Sequence, residues 1–217
     1  VLGLDPGIAN KEGYVLTTTP EGISINGQTE NGVFYGIQTL RKSIPAEAKG
    51  ATVLIPAGEI KDEPRFSYRG MHLDVGRHFF PKEFIKKYID LLALHNMNTF
   101  HWHLTENLAW RFEVKAFPCL TQAAYAVREP GCFYTQAQCS ELEAYAAERG
   151  VTIIPEIDMP GHSQVFTRSM GFDMQTEEGR KALRVILKEV GRTFPRAPYI
   201  HIGGDEVTVK PGFLGEM

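Results

Sequence analysis

Near the end of this 217-residue sequence, two acids stand side by side behind two glycines, in the stretch His201–Ile202–Gly203–Gly204–Asp205–Glu206–Val207. The apolar run beginning at Tyr199 leads into them, as a buried strand would lead to its end. Consecutive strand residues point to opposite faces. Asp205 and Glu206 can therefore serve one pocket only if the backbone turns, and Gly203 and Gly204 supply that freedom. Carboxylates at the rim of an apolar sheet are expected to lose solvent and repel one another. One then stays protonated as an acid while the other stays charged. The plain alternative is a solvated acidic turn or a helix N-cap.

Other groups have spacings that suit chemistry. His101 and His103 flank Trp102 and share one face of a strand, the spacing of a metal pair. A metal-dependent hydrolase would draw on His101, His103 and His162. Both imidazoles could equally be hydrogen-bonded members of a barrel interior. In Pro155–His162, Glu156 and Asp158 share a face by the period of two, and His162 follows the Pro160–Gly161 turn. Arg77, just after Asp74, is a cation suited to sugar hydroxyls or a carboxylate. With Trp102 and Trp110 as aromatic neighbours, these groups describe a polar pocket that suits a sugar.

Elements must bring them together. Residues 1–63 read as a small α/β unit. Its strands are Gly13–Thr19 and Gly22–Gln28, its helix Asn31–Ile44, and a further strand covers Ala51–Ile60. From residue 64 the rhythm becomes strand, helix, strand, helix. Strands are expected at Tyr68–Val75, Asn98–Leu104, Val151–Asp158 and Tyr199–Glu206. Pro81 opens a helix with Phe84, Ile85, Tyr88, Ile89 and Leu92 on its apolar face. Thr135 and Gln138 form a capping box for a second helix ending at Gly150, and Leu183, Ile186, Leu187 and Val190 line a third. Strands ending in polar groups favour the carboxyl-end active face of a (β/α)8 barrel over a doubly wound sheet. No G-x-G-x-x-G or phosphate loop is present. A barrel needs eight strands, so residues 64–217 read as its N-terminal half, about four βα units, behind the small leading domain.

Composition narrows the partners. With 43% hydrophobic residues a sizeable core is possible, and a net charge of −3 without a basic block disfavours nucleic acid and anionic membranes. No apolar run is long enough for a membrane span. Cys119, Cys132 and Cys139 form no C-x-x-C pair and read as buried or idle thiols. No signal-peptide pattern opens the chain, and Val1 at its start suggests that an upstream segment is missing.

Four stretches, "DEPRFSYRGMHLDVGRHF", "NTFHWHLTEN..W", "GVTIIPEIDMPGHS" and "YIHIGGDEV", resemble the motifs of the family 20 glycoside hydrolases, the β-N-acetylhexosaminidases. The resemblance implies that Glu206 is the general acid/base and that Asp205 orients the substrate's 2-acetamido group. That group is the nucleophile of a retaining, substrate-assisted reaction. It implies further that Arg77 binds hydroxyls of the terminal sugar, and that Asp158 and His162 belong to the network around the acid/base. No metal or cofactor is implied. The partner would be a glycan or glycoconjugate ending in N-acetylhexosamine, and the parent protein would be secreted, periplasmic or at the cell surface. Two departures stand out. The family usually has two aspartates after "HLT", where this chain has Glu106 and Asn107; Glu106 is expected to pair with His162. The later strands, which carry the tryptophans and tyrosine around the acetamide, are missing. A half barrel would leave two strand edges open, so self-association is expected. A sugar-binding remnant without turnover, keeping Arg77 and Asp158, is the remaining alternative.

Overall fold

The computed structural model describes every residue except 46, 49, 51, 214, 216 and 217. Two compact units emerge: Val1–Arg69 with Asp90–Asn98, and Gly70–Ile89 with Thr99–Met217.

The first unit is a four-stranded sheet in the order β1-β3-β2-β4 with one helix. Strands β2 (Tyr14–Thr19) and β3 (Gly22–Gly27) form the expected hairpin, closed at Thr19–Gly22. Helix α1 (Glu30–Lys42) follows, with Glu30 in its first turn and Arg41 and Lys42 in its last, each charge complementing the helix dipole. Val33 and Tyr35 from α1 pack with Tyr14, Leu16 and Ile25 of the sheet to form the core. Close approach is possible because Gly36 has no side chain: a Cβ there would overlap Ile25 and crowd the Tyr14 ring. The sequence reading missed β1 (Leu2–Leu4), which pairs parallel with β3. It also placed the last strand too early. Strand β4 spans Gly58–Asp62, after a stretch from Thr52 to Ala57 without strand pairing; Ala51 lies outside the described residues. Pro56 lacks the N–H that a ladder needs.

The second unit is built on parallel strands β5 (Gly70–Asp74), β6 (Thr99–His103) and β7 (Thr152–Glu156), in that order. Their register is unstaggered: His101 lies between His72 and Ile154, and His103 between Asp74 and Glu156. Helix α2 (Lys82–Leu94) buries Ile85 and Ile89 completely. Its expected apolar face is narrower than the pattern suggested, because Phe84 is exposed and stacks on Phe80 instead. Helix α3 (Gln136–Ala147) begins at the predicted capping box: Gln138 N donates to Thr135 Oγ1 and Thr135 N to Gln138 Oε1. Helix α4 (Gln164–Met170), which the pattern did not reveal, ends at Gly171 with φ +81°. Helix α5 (Glu177–Thr193) buries Leu183, Ile186 and Val190, with Leu187 half-buried at the margin of that face. Phe100 and Trp102 of β6, Tyr134 and Phe194 form an aromatic core on one face of the sheet.

The expected fourth strand is reduced to one parallel bridge between Glu156 and His201. Backbone bonds continue the pairing on that side, with His201 N donating to Pro155 O (3.0 Å), Ile157 N to His201 O (3.1 Å) and Met159 N to Ile202 O (2.9 Å). The ladder stops because Gly203 and Gly204 leave the extended region, at φ +64° and +101°. No described helix is long and apolar enough to cross a membrane.

Candidate active site

The polar residues of β5, β6 and β7 gather because of register and the period of two. His72, His101, His103 and Glu156 all project from the sheet face opposite Phe100 and Trp102. His201 joins them across its bridge. Glu156, almost fully buried, is the hub. One carboxylate oxygen, Oε2, meets His101 Nε2 at 2.5 Å, His103 Nδ1 at 3.0 Å and His72 Nε2 at 3.8 Å, while Oε1 lies 3.3 Å from His201 Nδ1. Burial alone would raise the Glu156 pKa. The hydrogen bonds and charges of His101 and His103 outweigh it and hold the carboxyl well below the usual range. Burial likewise opposes charge on His103, but Glu156 wins and raises it. His72 is pushed down by burial and by the neighbouring imidazoles.

At the carboxyl ends of the strands lies a second chain of contacts. Asp74 accepts from Arg77 at the backbone (2.9 Å) and at Nη1 (2.6 Å), which orients a guanidinium that remains half exposed. Arg77 Nη2 donates to Glu106 Oε1 at 3.0 Å. The same Glu106 oxygen contacts His162 Nδ1, the pairing expected from the sequence. His162 then directs Nε2 toward Glu206 Oε2 at 3.4 Å and Asp205 Oδ2 at 3.8 Å. Asp158, 1% exposed, accepts from Gly204 N at 3.2 Å, while its own N–H donates to Thr105 Oγ1 at 3.0 Å. Its Oδ2 has no hydrogen-bond partner among the described residues, and burial raises its pKa.

The two-glycine turn works as its composition suggested. Gly203, Gly204 and then Glu206 itself (φ +54°) are left-handed, and His162 across from them has φ +47°. Non-glycine residues held there cost about 1–3 kcal/mol each, a strain that clusters at functional sites. Gly203 packs directly on the Asp158 carboxylate, and Gly161 packs on Asp205 O, so neither position has room for a side chain. A groove of about 440 Å³ runs beside Glu206, lined by Asn107, His162, Gln164, Arg168 and Asp173 among others.

All six residues expected at the site therefore adjoin: Arg77, Glu106, Asp158, His162, Asp205 and Glu206. Two expectations about their surroundings are overturned. The Asp205 and Glu206 side chains are 67% and 77% exposed, so the desolvation anticipated for them is not present. The turn that aims them lifts them off the apolar sheet. Trp102 and Trp110 do not line a pocket. Both are buried, Trp102 on the opposite sheet face and Trp110 with Nε1 bonded to Phe112 O. The alternation that puts His101 and His103 together necessarily turns Trp102 away. Sequence reasoning missed Asp74 as the partner of Arg77, although a D-x-x-R spacing at a strand end was the available signal.

Among the described residues, three groups of side chains bring potential metal-ligand atoms within 4.8 Å of one another: His72, His103 and Glu156; His101, Glu156 and His201; Asp158, His162 and Asp205. The trio His101, His103 and His162 is not among them. His162 faces the acids, while His101 and His103 are committed to Glu156.

Comparison with known proteins identifies the family of the chain. Residues 66–177 match the family model "Glycosyl hydrolase family 20, catalytic domain", and residues 2–63 match "Glycosyl hydrolase family 20, domain 2". A beta-hexosaminidase of Porphyromonas gingivalis is 40% identical, the alignment covering 94% of this chain and 30% of that protein. The crystal structure of a beta-N-acetylhexosaminidase from Bacteroides fragilis superposes with a TM-score of 0.87 at 38% identity, covering 97% of this chain and 46% of that one. An exo beta-N-acetylglucosaminidase from Vibrio harveyi in complex with N-acetylglucosamine gives 0.82 at 32% identity, covering 95% and 38%. The chain thus spans less than half the length of each of these proteins.

Proposed function

The chain belongs to glycosyl hydrolase family 20, and on that premise we propose that it carries the acid/base half of a β-N-acetylhexosaminidase site. Its architecture is the family's domain 2 followed by part of the catalytic domain, a mixed α/β chain whose parallel sheet belongs to a (β/α)8 barrel. The proposed reaction is exo-hydrolysis of terminal N-acetylhexosamine from glycans, with retention of configuration.

In this reading the Glu206 carboxylic acid donates its proton to the glycosidic oxygen as the bond to the anomeric carbon breaks. The substrate's acetamide oxygen attacks that carbon, and Asp205 accepts a hydrogen bond from the acetamide N–H, stabilising the positive charge of the oxazolinium ring. The Glu206 carboxylate then takes a proton from water, which opens the ring at the same carbon; two inversions leave configuration retained. Arg77, oriented by Asp74 and Glu106, would hold hydroxyls of the terminal sugar. His162 links Glu106 to Glu206 and so transmits charge from the sugar-binding cation to the acid/base.

The observation carrying this reading is the turn at Gly203–Glu206, which brings both acids to one imidazole. A solvated acidic turn with no partner would not need two strained non-glycine residues facing one another. The test is hydrolysis of an aryl N-acetyl-β-glucosaminide by the 217-residue chain. Glu206→Gln is expected to lower kcat by about 10²–10⁴-fold. Equal turnover by the two would refute the assignment.

Two subsidiary proposals accompany this reading. Strand edges left open in the second unit would drive self-association, and the parent protein would act outside the cytoplasm, a placement that cell fractionation decides.

A further inference from the structure

The segment Val75–Phe79 carries Arg77 but has no helix or strand of its own. One buried cation holds it. Arg111 is 0% exposed, and its guanidinium donates along almost every available direction. Nε reaches Val75 O at 3.0 Å, and Nη1 reaches Glu129 O at 3.0 Å and Cys132 O at 2.7 Å. Nη2 reaches Arg128 O at 3.1 Å, Glu129 Oε2 at 3.2 Å and, more weakly, Gly76 O at 3.5 Å.

The loop that Arg111 grips closes on the same segment. Arg128 Nη1 donates to Arg77 O at 3.0 Å, and Phe79 N donates to Glu129 Oε2 at 2.5 Å. His78 Nδ1 lies 3.1 Å from Glu129 Oε1, and the Arg111 guanidinium sits 5.5 Å from the centre of the Phe79 ring. On the other side Gly76 lies against Glu106, the second carboxylate that Arg77 uses; a Cβ on Gly76 would come within 2.6 Å of the Glu106 Cβ. Three successive carbonyls (75, 76 and 77) and the amide of 79 are therefore fixed. The Arg77 side chain is left half exposed above them.

We propose that Arg111 is a positioning residue for Arg77, holding the segment so that the Arg77 guanidinium meets the sugar in one pose. The proposal rests on the reading of Arg77 as a sugar-binding cation. A planar fork of five N–H groups suits carbonyls converging from two loops, whereas the compact ammonium of lysine reaches fewer of them. A neutral replacement would leave buried carbonyls without donors.

A residue that merely staples the core would lower stability without acting through Arg77, and a double-mutant cycle separates the two roles. The 217-residue chain, Arg77→Ala, Arg111→Lys and the double variant would be titrated with N-acetylglucosamine, with amide exchange at Phe79 followed in parallel. Arg111→Lys is expected to weaken binding about tenfold and to speed Phe79 exchange. Added to Arg77→Ala, it should cause no further loss of affinity. Additive losses, or an unchanged Phe79 amide in a chain that is only less stable, would overturn the proposal. If Arg111→Lys does not fold, Glu129→Gln should show the same non-additivity with Arg77→Ala, and additivity there would overturn it equally. Absence of binding by the unsubstituted chain would count against the functional reading. Phe79 exchange would then decide the clamp, faster exchange in Arg111→Lys supporting it and unchanged exchange refuting it.

Discussion

Glu156 shows how a single carboxylate can organise a sheet face. A carboxyl whose folded pKa lies below its unfolded value of about 4.3 adds stability above that pH, and the contribution is lost as pH falls through the folded pKa. His72, depressed from its ordinary value of about 6.5, likewise loses its contribution on acidification. His103 is raised, so its contribution is present below about 6.5 and is lost as pH rises through the higher folded value. The second unit should therefore be most stable near pH 6 and weaken on both sides, an expectation that urea midpoints across pH 4–9 would check, both figures being about one pH unit wide. Glu156→Gln is expected to cost about 3 kcal/mol near the optimum, because it removes the charge to which the buried His103 is paired. It should also remove the alkaline limb, which comes from the pairing of His103 with Glu156. A bell of unchanged shape in that variant would show that the cluster is not its source. These residues were legible in part: Glu156, His101 and His103 each stand out in the sequence, but their convergence on one oxygen depends on a register that no single strand encodes.

At the scale of elements, the decisive piece is the two-glycine turn after the last paired residue. Gly203→Ala would place a Cβ against the Asp158 carboxylate and hold alanine at φ +64°. The expected cost is about 1–3 kcal/mol from backbone strain, with further loss from the overlap. Because the turn aims Asp205 and Glu206, hydrolysis should fall more than stability alone explains. Thermal melting together with kcat at a temperature where both chains are folded would separate the two effects. The same turn explains the shortened fourth strand, since a backbone that enters the left-handed region cannot continue a ladder. Helices were easier to read. The Thr135–Gln138 box and the apolar stripe of α5 are local patterns, and the structure keeps them; β1, three residues long and strand-like only beside β3, has no such pattern.

On the scale of the whole molecule, β6 is paired on both sides, whereas among the described residues β5 is paired on one side only and residues 199–202 pair only toward β7. Unpaired edges are templates for other chains. Sedimentation of the 217-residue chain at micromolar concentration should show species larger than the monomer, and amide exchange should be slowest in Thr99–His103. A purely monomeric mass with a cooperative melt would sink that expectation. The family, the alternation of β5, α2, β6, α3, β7 and α5, and six polar residues that the structure brings together were readable from the sequence, because motifs, capping and periodicity are local. Tertiary structure alone decided that Trp102 and Trp110 are core rather than pocket, and that Asp205 and Glu206 face solvent. It alone made Asp74 and Arg111 the holders of Arg77. Each of those depends on which face of a strand meets which neighbour, and that is settled by packing between segments far apart in the chain.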